Sequence, residues 1–244
     1  MEGRGTPPRR VGILGGLGPE ATVLLMQKVI AAVPARDDSD HVRLIVDQNP
    51  QVPSRIRHLI EGTGEDPTPV LVEMARRLEG AGAEALAMPC NTAHHYASAI
   101  AGAIGVPFID MVALSAEEAC TRAASGGRIG ILASPATRRI GLFDKVLAPA
   151  GLTAVYPEDE EAMLTAIRRL KAEGPGPAPR ETLAAASAEL VSRGARVQMV
   201  ACTEFSLIIS AAAPEAEVFD TLDLLVEAIV AFSLGRPASP TSPS

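Results

Sequence analysis

The chain is predicted to fold as an α/β protein: two similar doubly wound parallel-sheet domains with a ligand site between them. Three observations predict it. Short β-branched or apolar runs alternate with longer Ala/Leu/Glu/Arg segments of helical period, the signature of βα units around parallel sheets. The sequence also repeats itself. Arg10-Val11-Gly12-Ile13-Leu14 returns as Arg128-Ile129-Gly130-Ile131-Leu132, and Gly82-Ala83, eight residues before Cys90, returns as Gly194-Ala195, eight before Cys202. Finally, 244 residues with 47% apolar and 21% charged side chains exceed the roughly 150 of one domain and exclude an intrinsically disordered chain.

Taken in order, a strand at 11–14 leads through a glycine turn into a helix at 19–33, with Pro19 suited to the first helical position. A polar loop holding Asp37 and Asp38 separates this helix from a strand at 42–46, and the loop Asn49-Pro50-Gln51-Val52-Pro53-Ser54-Arg55 follows. A helix at 67–81 precedes a strand at 85–88, which runs into Cys90 and a helix at 92–104 with Asn91 and Thr92 at its start. A strand at 106–109 and a helix at 115–124 complete the first half. The second half opens with a strand at 128–133 and helix 137–150, then strand 153–156, helix 158–171 ending in Lys171, and helix 179–193. Strand 197–201 ends at Cys202, and strand 218–219 precedes helix 221–234, whose periodicity suggests that it crosses back to the first half. The expected domains are therefore 1–113 and 114–217, dividing near 112–115, with tails at Met1 to Arg10 and a flexible 235–244.

Charge and cysteine usage limit the function. Twenty-two basic and 29 acidic residues give a net charge of −7, with no Lys/Arg block and only seven aromatic residues, so a nucleic-acid partner is not expected. Glu20, Asp47 and Glu227 interrupt the longest apolar runs, which leaves none near the roughly 18 residues of a membrane span; no membrane partner is expected. Three widely spaced cysteines, Cys90, Cys120 and Cys202, do not make a disulfide scaffold and point to free thiols in a reducing, cytoplasmic setting.

The cysteines divide into a pair and a single. Cys120 has no polar companions and is read as a small buried hydrophobe. Cys90 and Cys202 each end a strand, and Asn91-Thr92 or Thr203 follows. A thiol at a helix N-terminus faces free backbone N–H groups, which lower its pKa from roughly 8.5. The same amides, with Asn91, Thr92 and Thr203, suit a carboxylate held between two sulfurs, an arrangement for proton transfer at the adjacent carbon. Cys90, His94, His95 and Cys202 are ligand types that zinc accepts, but without a Cys-x-x-Cys spacing no metal is expected. At most one of the neighbouring histidines can face the cleft, and His95 is read as a surface or core residue.

Gly16-x-Gly18-x-x-Ala21 fits a relaxed dinucleotide fingerprint, yet no acidic residue ends a second strand roughly 20 residues on. This turn and its counterpart Ala133-Ser134-Pro135-Ala136-Thr137 are read as anion-binding turns. Arg55, in preference to Arg57, and Lys171 are candidate cations for a second substrate charge. The residues leave open an enzyme acting beside a carboxylate and a non-catalytic binding protein for a small carboxylate.

Several motifs together resemble the aspartate/glutamate racemase family, and within it the aspartate racemase branch: Gly15-Gly16-Leu17-Gly18-Pro19, the loop from Asn49 to Arg55, Gly64-Glu65-Asp66-Pro67, Met88-Pro89-Cys90-Asn91-Thr92-Ala93-His94, and Ala201-Cys202-Thr203-Glu204. The resemblance implies a cofactor-independent racemase of amino acids, often a homodimer, with its active site between two α/β domains. It implies that Cys90 and Cys202 are the acid/base pair, that Asn91, Thr92 and Thr203 bind the substrate carboxylate, that Arg55 and Lys171 meet its other charge, and that Leu17, Gln51 and Glu204 lie at the substrate. Aspartate is the expected substrate, with glutamate or a broad range as the alternative. Leu17 stands where the family usually has Met, Ala201 where it has Gly, and Ser54 where it has Asp.

Overall fold

Strands covered on both faces by helices read as continuous apolar runs, and the inner strands of this protein do so. The computed structural model, which describes residues 7–124 and 126–236, contains two four-stranded parallel sheets. In the first, β1 (Arg10–Gly15), β2 (Arg43–Gln48), β3 (Ala85–Ala87) and β4 (Phe108–Ile109) lie in the order β2-β1-β3-β4. In the second, β5 (Arg128–Ala133), β6 (Thr153–Val155), β7 (Val197–Ala201) and β8 (Glu217–Asp220) repeat that order as β6-β5-β7-β8. The sequence repeat is thus a repeat of topology. Its glycines answer to packing: a Cβ at Gly12 would stand 2.5 Å from the Leu86 side chain, and one at Gly130 would stand 2.8 Å from Gln198.

Ten helices surround the sheets among the described residues: α1 (Pro19–Ala31), α2 (Thr68–Gly80), α3 (Ala97–Ala101), α4 (Met111–Arg122), α5 (Pro135–Arg139), α6 (Leu142–Leu147), α7 (Glu160–Glu173), α8 (Pro177–Ser192), α9 (Thr203–Ser206) and α10 (Thr221–Leu234). On α2 the buried residues are Leu71, Met74, Ala75 and Leu78, and on α7 Met163, Ala166, Ile167 and Leu170. Both follow the i, i+3, i+4, i+7 spacing of one apolar stripe. The two longest-range placements involve α4 and α10. Helix α4 leaves the first sheet, yet Val112 and Ala119 pack with Ile129, Ile131 and Met199 of the second. Helix α10 leaves the second sheet, yet Leu222, Leu225 and Ile229 pack with Val11 and Ile13 of the first.

Several expectations are corrected. The stretch predicted as one helix at 92–104 is a 3-10 turn, Thr92–Tyr96, followed by α3; Tyr96, at φ −100° and ψ 3°, leaves the α geometry between them. The predicted helix at 137–150 is divided by Gly141 in the left-handed region, a conformation that glycine adopts at little cost. Residues 112–115 lie inside α4. The expected tails fall largely outside the described residues, but Arg9 and Arg10 belong to the fold. The Arg9 N–H donates to the Ser233 carbonyl at 2.8 Å, its guanidinium lies 3.8 Å over the Phe232 ring, and Arg10 opens β1. Gly235, at the other end, caps α10. Cys120, read as buried, is exposed on α4. Among the described residues no helix is long and apolar enough to cross a membrane.

Candidate active site

The carboxyl ends of parallel strands, where connections begin, are where α/β sheets hold ligands. Cys90 follows β3 of the first sheet and Cys202 follows β7 of the second, both buried, at 9% and 7% exposure. Both line one cavity of about 340 Å3 between the lobes, within the range of small-ligand sites. Of the other residues expected at the substrate, Leu17, Arg55, Thr92, Lys171 and Glu204 line the same cavity.

Its charges are arranged in two groups. The first is a chain of three side chains, in which the Cys202 thiol donates to Glu204 Oε2 at 3.0 Å while Lys171 Nζ is bonded to Glu204 Oε1. Burial and the adjacent Glu204 carboxylate push the Cys202 pKa well up, with Lys171 opposing. This corrects the expectation that both thiols are acidified: at Cys202, burial and a neighbouring negative charge outweigh any gain from local amides. Burial opposes the charge on Lys171, but Glu204 outweighs it and raises the lysine pKa. The second group is Arg55, whose Nη1 donates to the carbonyls of Pro53 (3.0 Å) and Val52 (3.3 Å) and whose Nη2 donates to Leu17 (3.0 Å). These bonds tie the two loops of the first lobe together and leave the remaining guanidinium N–H groups for a ligand.

The glycine turn lines the cavity and also makes room for the opposite lobe. Its Gly16 N–H is used by Thr22 Oγ1 at 2.9 Å. Gly18 has φ +147°, and a Cβ there would stand 2.7 Å from Glu204 Oε1. The turn is bare so that the acid of the opposite lobe can approach it. Its counterpart in the second lobe brings Ser134, which caps α5, to the cavity wall.

Three expected ligands are not in the cavity wall. Gln51 is exposed in its loop. Asn91 and Thr203, the residues after the two cysteines, are buried and reach across the lobes instead. Asn91 Nδ2 donates to Thr221 Oγ1 (2.9 Å), whose hydroxyl donates to the Val200 carbonyl (3.0 Å), and Thr203 Oγ1 donates to the Pro89 carbonyl (3.2 Å). His95 is exposed, and His94 is buried with both ring nitrogens bonded to backbone groups. Among the described residues no cluster of His, Cys, Asp and Glu is placed to hold a metal ion. Sequence reasoning missed Glu20 and Ile167, which also line the cavity. Ile167 was within reach of the helical period, one turn before Lys171 on α7.

Comparison with known proteins bears on the family and the fold. The profile of the Asp/Glu/hydantoin racemase family matches residues 14–229. A curated relative, the broad specificity amino-acid racemase of Bacillus subtilis, is 25% identical over 228 residues, covering 90% of this chain and 96% of its own. The solved structure of Picrophilus torridus aspartate racemase superposes with a TM-score of 0.83 at 28% identity, over 95% of this chain and 96% of that one. A glutamate racemase of Bacillus anthracis shares the fold at a TM-score of 0.65 and 18% identity, over 91% of this chain and 80% of its own. The chain belongs to the Asp/Glu/hydantoin racemase family and is an enzyme of the amino-acid racemase type.

Proposed function

We propose that the protein interconverts the L and D forms of an acidic amino acid, aspartate foremost, by proton transfer between Cys90 and Cys202, without pyridoxal phosphate. The observation that carries this reading is that one cysteine from each lobe lines a single small cavity that also holds Arg55 and Lys171. Racemisation by two thiols needs one sulfur as thiolate and the other as thiol. Burial and Glu204 keep the proton on Cys202, which suits it to the acid role in the direction written here, with Cys90 as the base.

The Cys90 thiolate takes the α-proton and becomes a thiol, and the C–H electron pair remains on Cα, delocalised into the carboxylate. The Cys202 thiol then protonates the opposite face and becomes a thiolate, held beside Glu204 by the charge of Lys171. The reverse direction exchanges these roles. Thr92 and Ser134 offer hydroxyl donors at the cavity wall for the carboxylate on which charge develops, while Arg55 and Lys171 face the side-chain carboxylate. Asn91 and Thr203 act on the gap between the lobes rather than on the ligand.

A broad substrate range is the second reading, favoured by the B. subtilis relative. We place the enzyme in the cytoplasm, where both thiols stay reduced, as the homodimer that the family resemblance implies.

Replacing Cys90 or Cys202 singly by Ala is expected to abolish interconversion of L- and D-aspartate, followed by circular dichroism. Solvent deuterium should enter Cα only when at least one thiol remains. Full racemisation by either variant removes that cysteine from the scheme, and a panel of amino acids in heavy water separates aspartate from broad specificity.

A further inference from the structure

Proton transfer as written makes no use of His94. This residue sits four positions after Cys90, at 6% exposure. Its Nδ1 lies 2.9 Å from the Cys90 carbonyl oxygen, and its Nε2 accepts the backbone N–H of Met111, the first residue of α4, at 3.1 Å. A backbone N–H can only donate, so Nε2 carries no hydrogen. Nδ1 therefore does, and it donates to the Cys90 carbonyl. Burial lowers the His94 pKa and keeps the ring neutral against the pull of Asp110, whose Oδ1 is 3.8 Å from Nε2. The ring is a strut of one tautomer between the Cys90 turn and the helix that leaves the first sheet for the second.

The duplicated half repeats the construction with other atoms. Four positions after Cys202, Ser206 Oγ donates to Asp220 Oδ1 at 2.8 Å, and the same oxygen accepts the N–H of Leu222 at 2.9 Å at the start of α10. Since α4 packs into the second lobe and α10 into the first, each cysteine turn is tied to the root of the helix that crosses to the opposite lobe.

We propose that His94 is a positioning residue for Cys90: its Nδ1–H, kept on that nitrogen by the Met111 N–H at Nε2, donates to the Cys90 carbonyl and fixes the Cys90 turn, which sets the sulfur against the substrate Cα. The role in catalysis rests on the racemase reading above, whereas the tie between His94 and the Cys90 turn stands on the bonding alone.

The test uses three substitutions. His94→Asn places an N–H donor near the position of Nδ1 but falls short of Met111. His94→Gln reaches Met111 but offers the Cys90 carbonyl nothing, and His94→Ala does neither. Deuterium exchange at Cα is followed separately from L- and D-aspartate. His94→Ala and His94→Gln are expected to slow exchange about 10²-fold from the enantiomer whose α-hydrogen faces Cys90, the cost of a sulfur displaced by about 1 Å, with far less effect on the other. His94→Asn should restore most of it.

A second measurement, alkylation by iodoacetamide resolved by mass spectrometry, reads the Cys90 to Cys202 rate ratio without turnover. The ratio should change in His94→Gln and His94→Ala and return towards the parent value in His94→Asn. Equal losses from both enantiomers with an unchanged ratio in folded variants overturn the proposal, as does His94→Asn behaving like His94→Gln. If the parent protein exchanges no amino acid, the racemase reading fails, and the alkylation ratio still decides whether His94 holds the Cys90 turn.

Discussion

At Cys202 the local environment does two opposed things. Burial and the Glu204 carboxylate hold the thiol proton in place, and Lys171, bonded to that same carboxylate, limits how far. The three side chains form a donor that releases its proton to a stronger base, such as a carbanion, but resists losing it to water. Glu204→Gln removes the carboxylate and frees the lysine charge to act on the sulfur, and both changes favour thiolate. The alkaline requirement for the direction in which Cys202 is the base is therefore expected to move to lower pH, measured as the pH dependence of kcat/KM for each enantiomer. The opposite direction, which needs the Cys202 thiol, should lose activity at a lower pH than the parent. An unchanged pair of profiles would remove Glu204 from control of this thiol.

Helix starts carry the next level of organisation. Asp220 caps α10 through Leu222 and accepts from Ser206, while its second oxygen is buried without a hydrogen-bond partner. Burial and then Asp223 push its pKa up from the ordinary 3.8 to about 6. The native state therefore binds this proton more tightly than the unfolded chain does. Stability falls as pH rises from about 4 to about 6 and is then level, a loss on the order of 3 kcal/mol from this residue. Asp220→Asn keeps the capping oxygen and removes the titration. Urea unfolding between pH 4 and 8 should show that part of the slope disappear, so that the variant gains on the parent towards pH 8; parallel profiles would contradict this. Apolar periodicity made α2, α7 and α10 legible in the sequence, since each presents a stripe to a sheet. It did not reveal the interruption at Tyr96 or at Gly141, because a stripe can continue across a change in backbone conformation.

Over the whole molecule, the lobes meet in two layers. The inner layer is Thr203 on Pro89 and Asn91 on Thr221, at the level of the cysteines. The outer layer lies at the surface, where Arg139 donates to the Ile60 carbonyl at 2.9 Å and Arg168 pairs with Glu61 at 3.0 Å. Exposed pairs of this kind contribute roughly 0–1 kcal/mol, so they bias the angle between lobes more than they stabilise the fold. The double replacement Arg139→Ala and Arg168→Ala is expected to change stability by less than about 1 kcal/mol while raising KM severalfold with a smaller effect on kcat, measured by thermal unfolding and steady-state kinetics. A large fall in kcat at unchanged KM would show that the outer layer acts on the chemistry instead.

By itself, the sequence determined the α/β class, the duplication and the identity of the two cysteines as a matched pair, because these are properties of local pattern: alternating strand and helix periods, and a motif that occurs twice. The aspartate/glutamate racemase resemblance was also legible, carried by contiguous residues around Cys90 and Cys202. Only the tertiary structure decided which neighbours each of those residues has. Asn91 and Thr203 looked like ligands because they follow the cysteines, yet their side chains bond across the lobes, and Gly18 is bare for Glu204, 186 positions further along the chain. The charge state of Cys202 rests partly on its sequence neighbour Glu204, but also on burial, which exists only after folding, and on the opposing charge of Lys171 from a separate helix. Sequence spacing carries no information about distances between residues that meet only after folding.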